Sequence, residues 1–217
     1  MKTVSIFNNK GGVGKTTLAV HLALYATQHQ SLRTVAIGLD RQGDMLRWLS
    51  GGNTSVSDGS VYEHSKLLTV VYSPNQQPNL PIKADLCILD APPSLALAAT
   101  LRPDLWVVPV DGRLALEDMH NALPDLEASR AKILVVINKA DSGGARTLGA
   151  LKRAVEQTPK ISIWPTPVPD SPAVKRAAEY YRAVWDVPYG QTSEGHKAIV
   201  SLCSSMLKLV GLGGATR

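Results

Sequence analysis

Ten residues near the start of the chain, Asn8-Asn9-Lys10-Gly11-Gly12-Val13-Gly14-Lys15-Thr16-Thr17, have the types and spacing needed to hold a polyphosphate. The glycines let successive backbone N–H groups turn inward on an anion, and a helix opening directly afterwards adds the positive end of its dipole. Lys15 supplies a cation for β- and γ-phosphates, and the Thr16 hydroxyl a position on Mg²⁺. The strict phosphate-loop pattern has glycine where Asn9 stands, and Lys10 is a lysine it does not require. A glycine-rich turn without a ligand is the alternative. The Gly-Lys-Thr ending, set between a strand-like and a helix-like run, argues against it.

Such a loop needs an acidic partner at the end of another strand to hold Mg²⁺ and its waters. Leu86-Cys87-Ile88-Leu89-Asp90 offers one: four apolar residues, then Asp90, then Ala91-Pro92-Pro93. A strand-end aspartate could also cap the helix that begins near Ser94. Beside Lys15 and Thr16, the magnesium role is the better reading of Asp90.

The elements that must position these groups are legible as an alternation. Short apolar runs read as strands at Val4–Asn8, Thr34–Leu39, Leu68–Tyr72, Leu86–Asp90, Leu105–Val110, Ile133–Asn138 and Ile161–Trp164. Helical patterns fall at about 15–28, 94–101, 114–128, 145–157, 171–183 and 195–210. Strand and helix in turn is the grammar of βαβ units. Continuous apolar strands indicate helices on both sheet faces. The expectation is therefore an α/β fold with a mostly parallel central sheet, formed by one domain over residues 1–217. Gly51–Ser60 and the proline-bearing Ser73–Lys83 read as surface loops.

The motifs resemble the ParA/Soj/MinD family of deviant Walker A P-loop ATPases. Lys10-Gly11-Gly12-Val13-Gly14-Lys15-Thr16-Thr17 and Asp90-Ala91-Pro92-Pro93-Ser94 carry the likeness. Leu39-Asp40-Arg41-Gln42-Gly43, Trp106-Val107-Val108-Pro109-Val110, Ile137-Asn138-Lys139 and Val168-Pro169-Asp170 extend it along nearly the whole chain. The resemblance is to small ParA-like partition ATPases without a helix-turn-helix domain before the phosphate loop.

That resemblance implies ATP and Mg²⁺ as cofactors and a homodimer that sandwiches two ATP molecules. Lys10 would reach the phosphates held by the other chain, adding positive charge where the transferred phosphoryl group develops negative charge. Lys15 and Asp40 would be the other catalytic groups, with Asp40 positioning the attacking water and joining Thr16 and Asp90 at the metal. Residues 10–17 would line the phosphates, and Asn138, Pro169 and Asp170 the adenine. The family's first switch aspartate is replaced by Gly38 and its proline by Arg41, which weakens the expectation of efficient hydrolysis. Asn138-Lys139-Ala140-Asp141 also resembles the guanine-binding pattern of GTPases, but the deviant Walker A setting favours ATP.

Composition narrows the class. The chain has 217 residues, 44% of them hydrophobic and 19% charged, as soluble globular proteins do. No apolar run reaches the length of a membrane span, and no leader pattern precedes the first strand. The two cysteines, Cys87 and Cys203, are far apart and form no Cys-x-x-Cys, so disulfide, zinc and cluster chemistry are poorly supported. The five histidines show no ligand spacing. A cytoplasmic protein is the expectation, and the resemblance to ParA-like members implies that it is nucleoid-associated.

Charge is unevenly spread. Residues 1–129 hold 10 Lys/Arg against 12 Asp/Glu, and residues 130–217 hold 13 against 6. A basic C-terminal part suits a polyanion, though a solvated basic face would look the same. Lys175, Arg176 and Arg182 lie on one helical pattern where ParA-like proteins bear DNA-contacting basics, with Arg146, Lys152 and Arg153 as an extension. Non-specific double-stranded DNA and a ParB-like or other stimulating adaptor are therefore the expected partners, moving plasmid, chromosome or protein cargo. A MinD-like membrane-bound regulator is one alternative. The C-terminal helix, with two lysines and a glycine tail, reads better as docked on its own domain than as a membrane anchor. A weakly hydrolysing ATP-switch scaffold is the second alternative.

Overall fold

The computed structural model describes residues 1–52, 57–74, 83–140, 149, 151 and 161–213. Among the described residues eight strands form one sheet: β1 Lys2–Ile6, β2 Thr34–Gly38, β3 Val61–Ser65, β4 Leu68–Tyr72, β5 Leu86–Asp90, β6 Leu105–Val110, β7 Lys132–Ile137 and β8 Ile161–Ile163. Their order is β3-β4-β2-β5-β1-β6-β7-β8. All pairs are parallel except β3–β4, a short antiparallel hairpin at one edge.

Helices α1 Lys15–Gln28, α2 Asp44–Leu49, α5 Pro172–Glu179 and α6 Glu194–Leu209 pack with one face of the sheet; α3 Leu95–Ala98 and α4 Arg113–Ala128 lie on the other. The strands show why both faces must be covered. In β5, Leu86 and Ile88 enter the first core while Cys87 and Leu89 enter the second. In β7, Leu134 and Val136 divide in the same way from Ile133 and Val135. Successive side chains of a strand point to opposite faces, so a strand apolar at every position has no face left for water.

Seven expected strands are present, each within two residues of its expected bounds. Two of the elements named above were not legible. The hairpin strand β3 has all five residues exposed, so no apolar run marked it. Helix α2 is only six residues long, below what periodicity resolves. The expected helix at 94–101 shrinks to one turn, Leu95–Ala98, whose start is capped by Ser94. The pattern at 171–183 stops at Glu179, because Tyr181 takes a left-handed conformation (φ 53°). The helical pattern at 145–157, and with it Arg146, Lys152 and Arg153, lies outside the described residues except for 149 and 151.

Parallel register brings the motif-bearing strand ends to one edge. Ile6 of β1 and Gly38 of β2 both align with Asp90 of β5. The phosphate loop after β1, Asp40 after β2, Asp111 after β6 and Asn138 after β7 thus emerge together at the carboxyl end, where ligands of open α/β sheets bind.

Candidate nucleotide site

The loop from Asn8 to Gly14 leaves β1 and turns into α1. Gly12 (φ 76°) and Gly14 (φ 91°) adopt left-handed conformations, and Gly14 is the residue on which the helix begins. A Cβ on Gly14 would run into the side-chain amide of Asn138. That amide donates to the Val13 carbonyl at 2.7 Å, so the buried Asn138 braces the loop from β7. This bracing role was not readable from sequence, since it depends on the β1-β6-β7 adjacency.

Lys15 opens α1 and is largely buried, 7% exposed. Its ammonium donates to the Lys10 carbonyl at 2.9 Å. Burial pulls its pKa below the usual lysine value, and the charges of Asp90 and Asp40 oppose that pull. The Thr16 hydroxyl donates to Asp90 Oδ2 at 2.7 Å. Asp90 is 2% exposed; burial pushes its carboxyl up to about 7, against the Thr16 hydrogen bond and the charge of Lys15. Its other oxygen, Oδ1, is buried and makes no hydrogen bond.

An orphaned buried carboxylate oxygen beside a helix-start hydroxyl is the donor set that a hard cation such as Mg²⁺ takes. The residues fit the metal expected from sequence. Asp40 lies on the same cleft, with its Oδ1 accepting from the Gln42 N–H at 3.0 Å. Residue 38 needs no glycine conformation: a Cβ there would sit 3.6 Å from Met45 Cβ, an ordinary contact.

The cleft holds about 290 Å³ and is walled by Gly11, Gly12 and Gly14 to Thr17, by Asp40 and Gln42, and by Lys139. Lys139 (φ 51°) donates to the Gly12 carbonyl at 2.6 Å. Thr17 and Lys139 are shared with a second, less polar hollow of about 170 Å³ that contains Asn138, Pro169, Asp170 and Val174. The charged cleft thus lies beside a less polar hollow, and between them they contain the residues expected from sequence to meet phosphates and base, except Lys10 and Val13.

Lys10 does not line the phosphate cleft. Its ammonium lies 2.8 Å from Asp111 Oδ1 in the same chain.

The three basic residues expected at a DNA surface have different surroundings. Lys175 pairs with Asp170 at 2.7 Å and borders the base hollow. Arg176 donates to the Pro188 carbonyl at 2.7 Å. Arg182 is exposed, and its carbonyl accepts the Trp48 indole N–H at 3.1 Å. The exposed Tyr180, Tyr181 and Tyr189 lie in the same part of the chain, a feature that aromatic content alone did not disclose.

His21, assigned no chemistry from sequence, is a structural hub. Fully buried on α1, it bonds the Thr17 carbonyl (2.7 Å) and accepts the Val184 N–H (3.0 Å), between the ring edges of Trp48 and Trp185. Burial, opposed by the bond to Thr17, lowers its pKa to about 4. The apolar face of α6, through Ile199, Leu202 and Met206, is buried in the core that also holds α1, as its pattern suggested. Among the described residues no helix is long and apolar enough to cross a membrane.

Known proteins share this fold. A protein from Halothiobacillus neapolitanus, described as maintenance of carboxysome distribution protein A, is 28% identical over 197 residues, covering 84% of this chain and 83% of its own. The structure of an ATP complex of a Cyanothece McdA variant matches with a TM-score of 0.76 at 18% identity, over 100% of this chain and 99% of that one. The septum site-determining protein MinD of Pyrococcus horikoshii with Mg-ADP matches with a TM-score of 0.73 at 20% identity, over 97% and 98%. Residues 4–184 match the CobQ/CobB/MinD/ParA nucleotide binding domain. With the phosphate loop, the Thr16–Asp90 pair and the parallel sheet in place, the chain belongs to the CobQ/CobB/MinD/ParA family of nucleotide-binding domains.

Proposed function

We propose that this chain is a ParA-like positioning ATPase: it binds ATP with Mg²⁺, dimerises around two nucleotides, holds non-specific DNA as a dimer, and releases it after hydrolysis stimulated by a partner protein. The observation that carries this reading is the placement of Lys10. A loop built only to bind one nucleotide needs Lys15; it has no use for a second lysine whose ammonium stays out of its own phosphate cleft. A cation at the rim is placed to serve phosphates bound by a facing chain, as an arginine finger does.

In this reading Thr16, Asp40 and Asp90 would hold Mg²⁺, which would supply positive charge to offset the negative charge that develops during phosphoryl transfer. The chain's own residues do the rest. Lys15 exchanges the Lys10 carbonyl for phosphate oxygens. Asp40 orients water at the cleft. Asn138 keeps the loop in shape, and Pro169 and Asp170 border the base. Lys175, Arg176 and Arg182 form the DNA-facing part, with Lys175 the weakest member because Asp170 already neutralises it. The cargo is a large body to be distributed, as the name of the Halothiobacillus relative says of carboxysomes. The burial of the α6 apolar face supports DNA over membrane as the surface bound.

Co-sedimentation with duplex DNA and with anionic liposomes tests this reading, using ADP, ATP and a slowly hydrolysed ATP analogue across a salt series. DNA binding that requires the ATP state and falls steeply with salt is expected. Liposome binding without DNA binding would overturn it in favour of a MinD-like regulator.

A further inference from the structure

Lys10 is not idle in the isolated chain. Its ammonium sits 2.8 Å from Asp111 Oδ1, and the two side chains are only 32% and 16% exposed. The contact is constructed by a third residue. Asn8, fully buried, accepts the Lys10 N–H on Oδ1 at 2.9 Å. Its Nδ2 donates to the Pro109 carbonyl at 2.9 Å and the Ala115 carbonyl at 3.2 Å. One buried amide thus clamps the start of the phosphate loop to the β6–α4 turn that presents Asp111. The next cation on that turn, Arg113, is committed to Glu117 at 2.8 Å.

We propose that Asp111 is an intramolecular latch for Lys10, which holds the lysine against its own chain until ATP arrives and so sets the threshold for dimerisation. This rests on the reading of Lys10 given above. Lys10 cannot neutralise Asp111 and a facing chain's phosphates at once, so each dimer requires two latches to open. The nucleotide itself starts the release. Lys15 fastens the Lys10 backbone through its bond to the Lys10 carbonyl, and it must leave that carbonyl to bind phosphate. Partly exposed pairs are individually weak, and opening two of them raises the dimer dissociation constant about tenfold, or about 1.4 kcal/mol. Asp111 is a positioning residue: it acts on the phosphates only through Lys10.

Sedimentation velocity over a protein concentration series tests this with the full chain, Mg²⁺ and a slowly hydrolysed ATP analogue. Asp111→Asn should dimerise at about tenfold lower concentration than wild type, and Asp111→Glu should stay close to wild type. The gap between Asp111→Asn and wild type should close as salt rises, which a merely structural role for Asp111 would not produce. Lys10→Ala should erase the gain when combined with Asp111→Asn. If Asp111→Asn dimerises no better than wild type, or worse, the latch is refuted while the cross-chain role of Lys10 stands. If wild type stays monomeric with the analogue, both fail together. Asp111→Ser provides the same comparison should the asparagine variant not fold.

Discussion

Replacing Asp90 by asparagine in the nucleotide- and metal-free chain should uncover an acid sensitivity that the wild-type protein conceals. Two buried groups, His21 and Asp90, have pKa values shifted in opposite senses across the acid-to-neutral range. His21 is held neutral by burial, with its pKa lowered from 6.5 to about 4. Between those values the unfolded chain carries the extra proton, so stability falls as pH drops, by about 3 kcal/mol in all. Asp90 is raised from 3.8 to about 7. Between those values the folded chain carries the extra proton, so stability rises as pH drops, by about 4 kcal/mol.

From pH 6.5 to 4 the two slopes nearly cancel, and wild type should show a nearly flat profile. Asp90→Asn removes one slope. Its stability should fall by about 3 kcal/mol over that window, equivalent to roughly 6–12 °C in melting temperature for a chain of this size. At pH 8 the same variant should be more stable than wild type by up to about 4 kcal/mol, because no desolvated carboxylate remains. Urea unfolding in EDTA at half-unit pH steps measures all of this. Every other titrating group is present in both chains, so their difference reports Asp90 together with the effect of its charge on Lys15. A variant profile that stays as flat as wild type, or a variant less stable than wild type at pH 8, would refute the reasoning.

Gly14→Ala forces an L side chain into a left-handed conformation and displaces the Asn138 amide from the Val13 carbonyl. Destabilisation of about 2–3 kcal/mol by chemical denaturation is expected, together with loss of nucleotide affinity by calorimetry. Trp48→Phe keeps the ring edge against His21 but loses the indole donor to the Arg182 carbonyl. It should cost about 1 kcal/mol in urea and leave nucleotide affinity within twofold, roughly the resolution of such titrations; a larger loss of affinity would mean that α2 shapes the nucleotide site directly.

What could be read from the sequence followed the range of the signal. The phosphate loop, the Asp90 strand end and the alternating elements are local patterns, and the fold places them as expected. The exposed strand β3 and the short α2 carry too little apolar periodicity to be seen. The roles of Asn8, Asn138, Asp111 and His21 depend on neighbours about 100 or more residues away, brought close by sheet order. A single sequence gives no sign of such pairings. Lys175 shows the converse: its spacing suits a basic helix face, yet Asp170, five residues earlier, takes its charge.

The cross-chain role of Lys10 is tested most directly by complementation. Lys10→Ala and Asp40→Ala chains, each inactive alone, are mixed in equal amounts with ATP and Mg²⁺, and phosphate release is followed under stimulating conditions that give wild-type turnover. In a mixed dimer the nucleotide on the Lys10→Ala chain keeps its own Asp40 and receives Lys10 from its partner. Half of randomly formed dimers are mixed and each has one working site, so about a quarter of wild-type turnover is expected. A mixture as inactive as its components would contradict the sharing of Lys10 between chains.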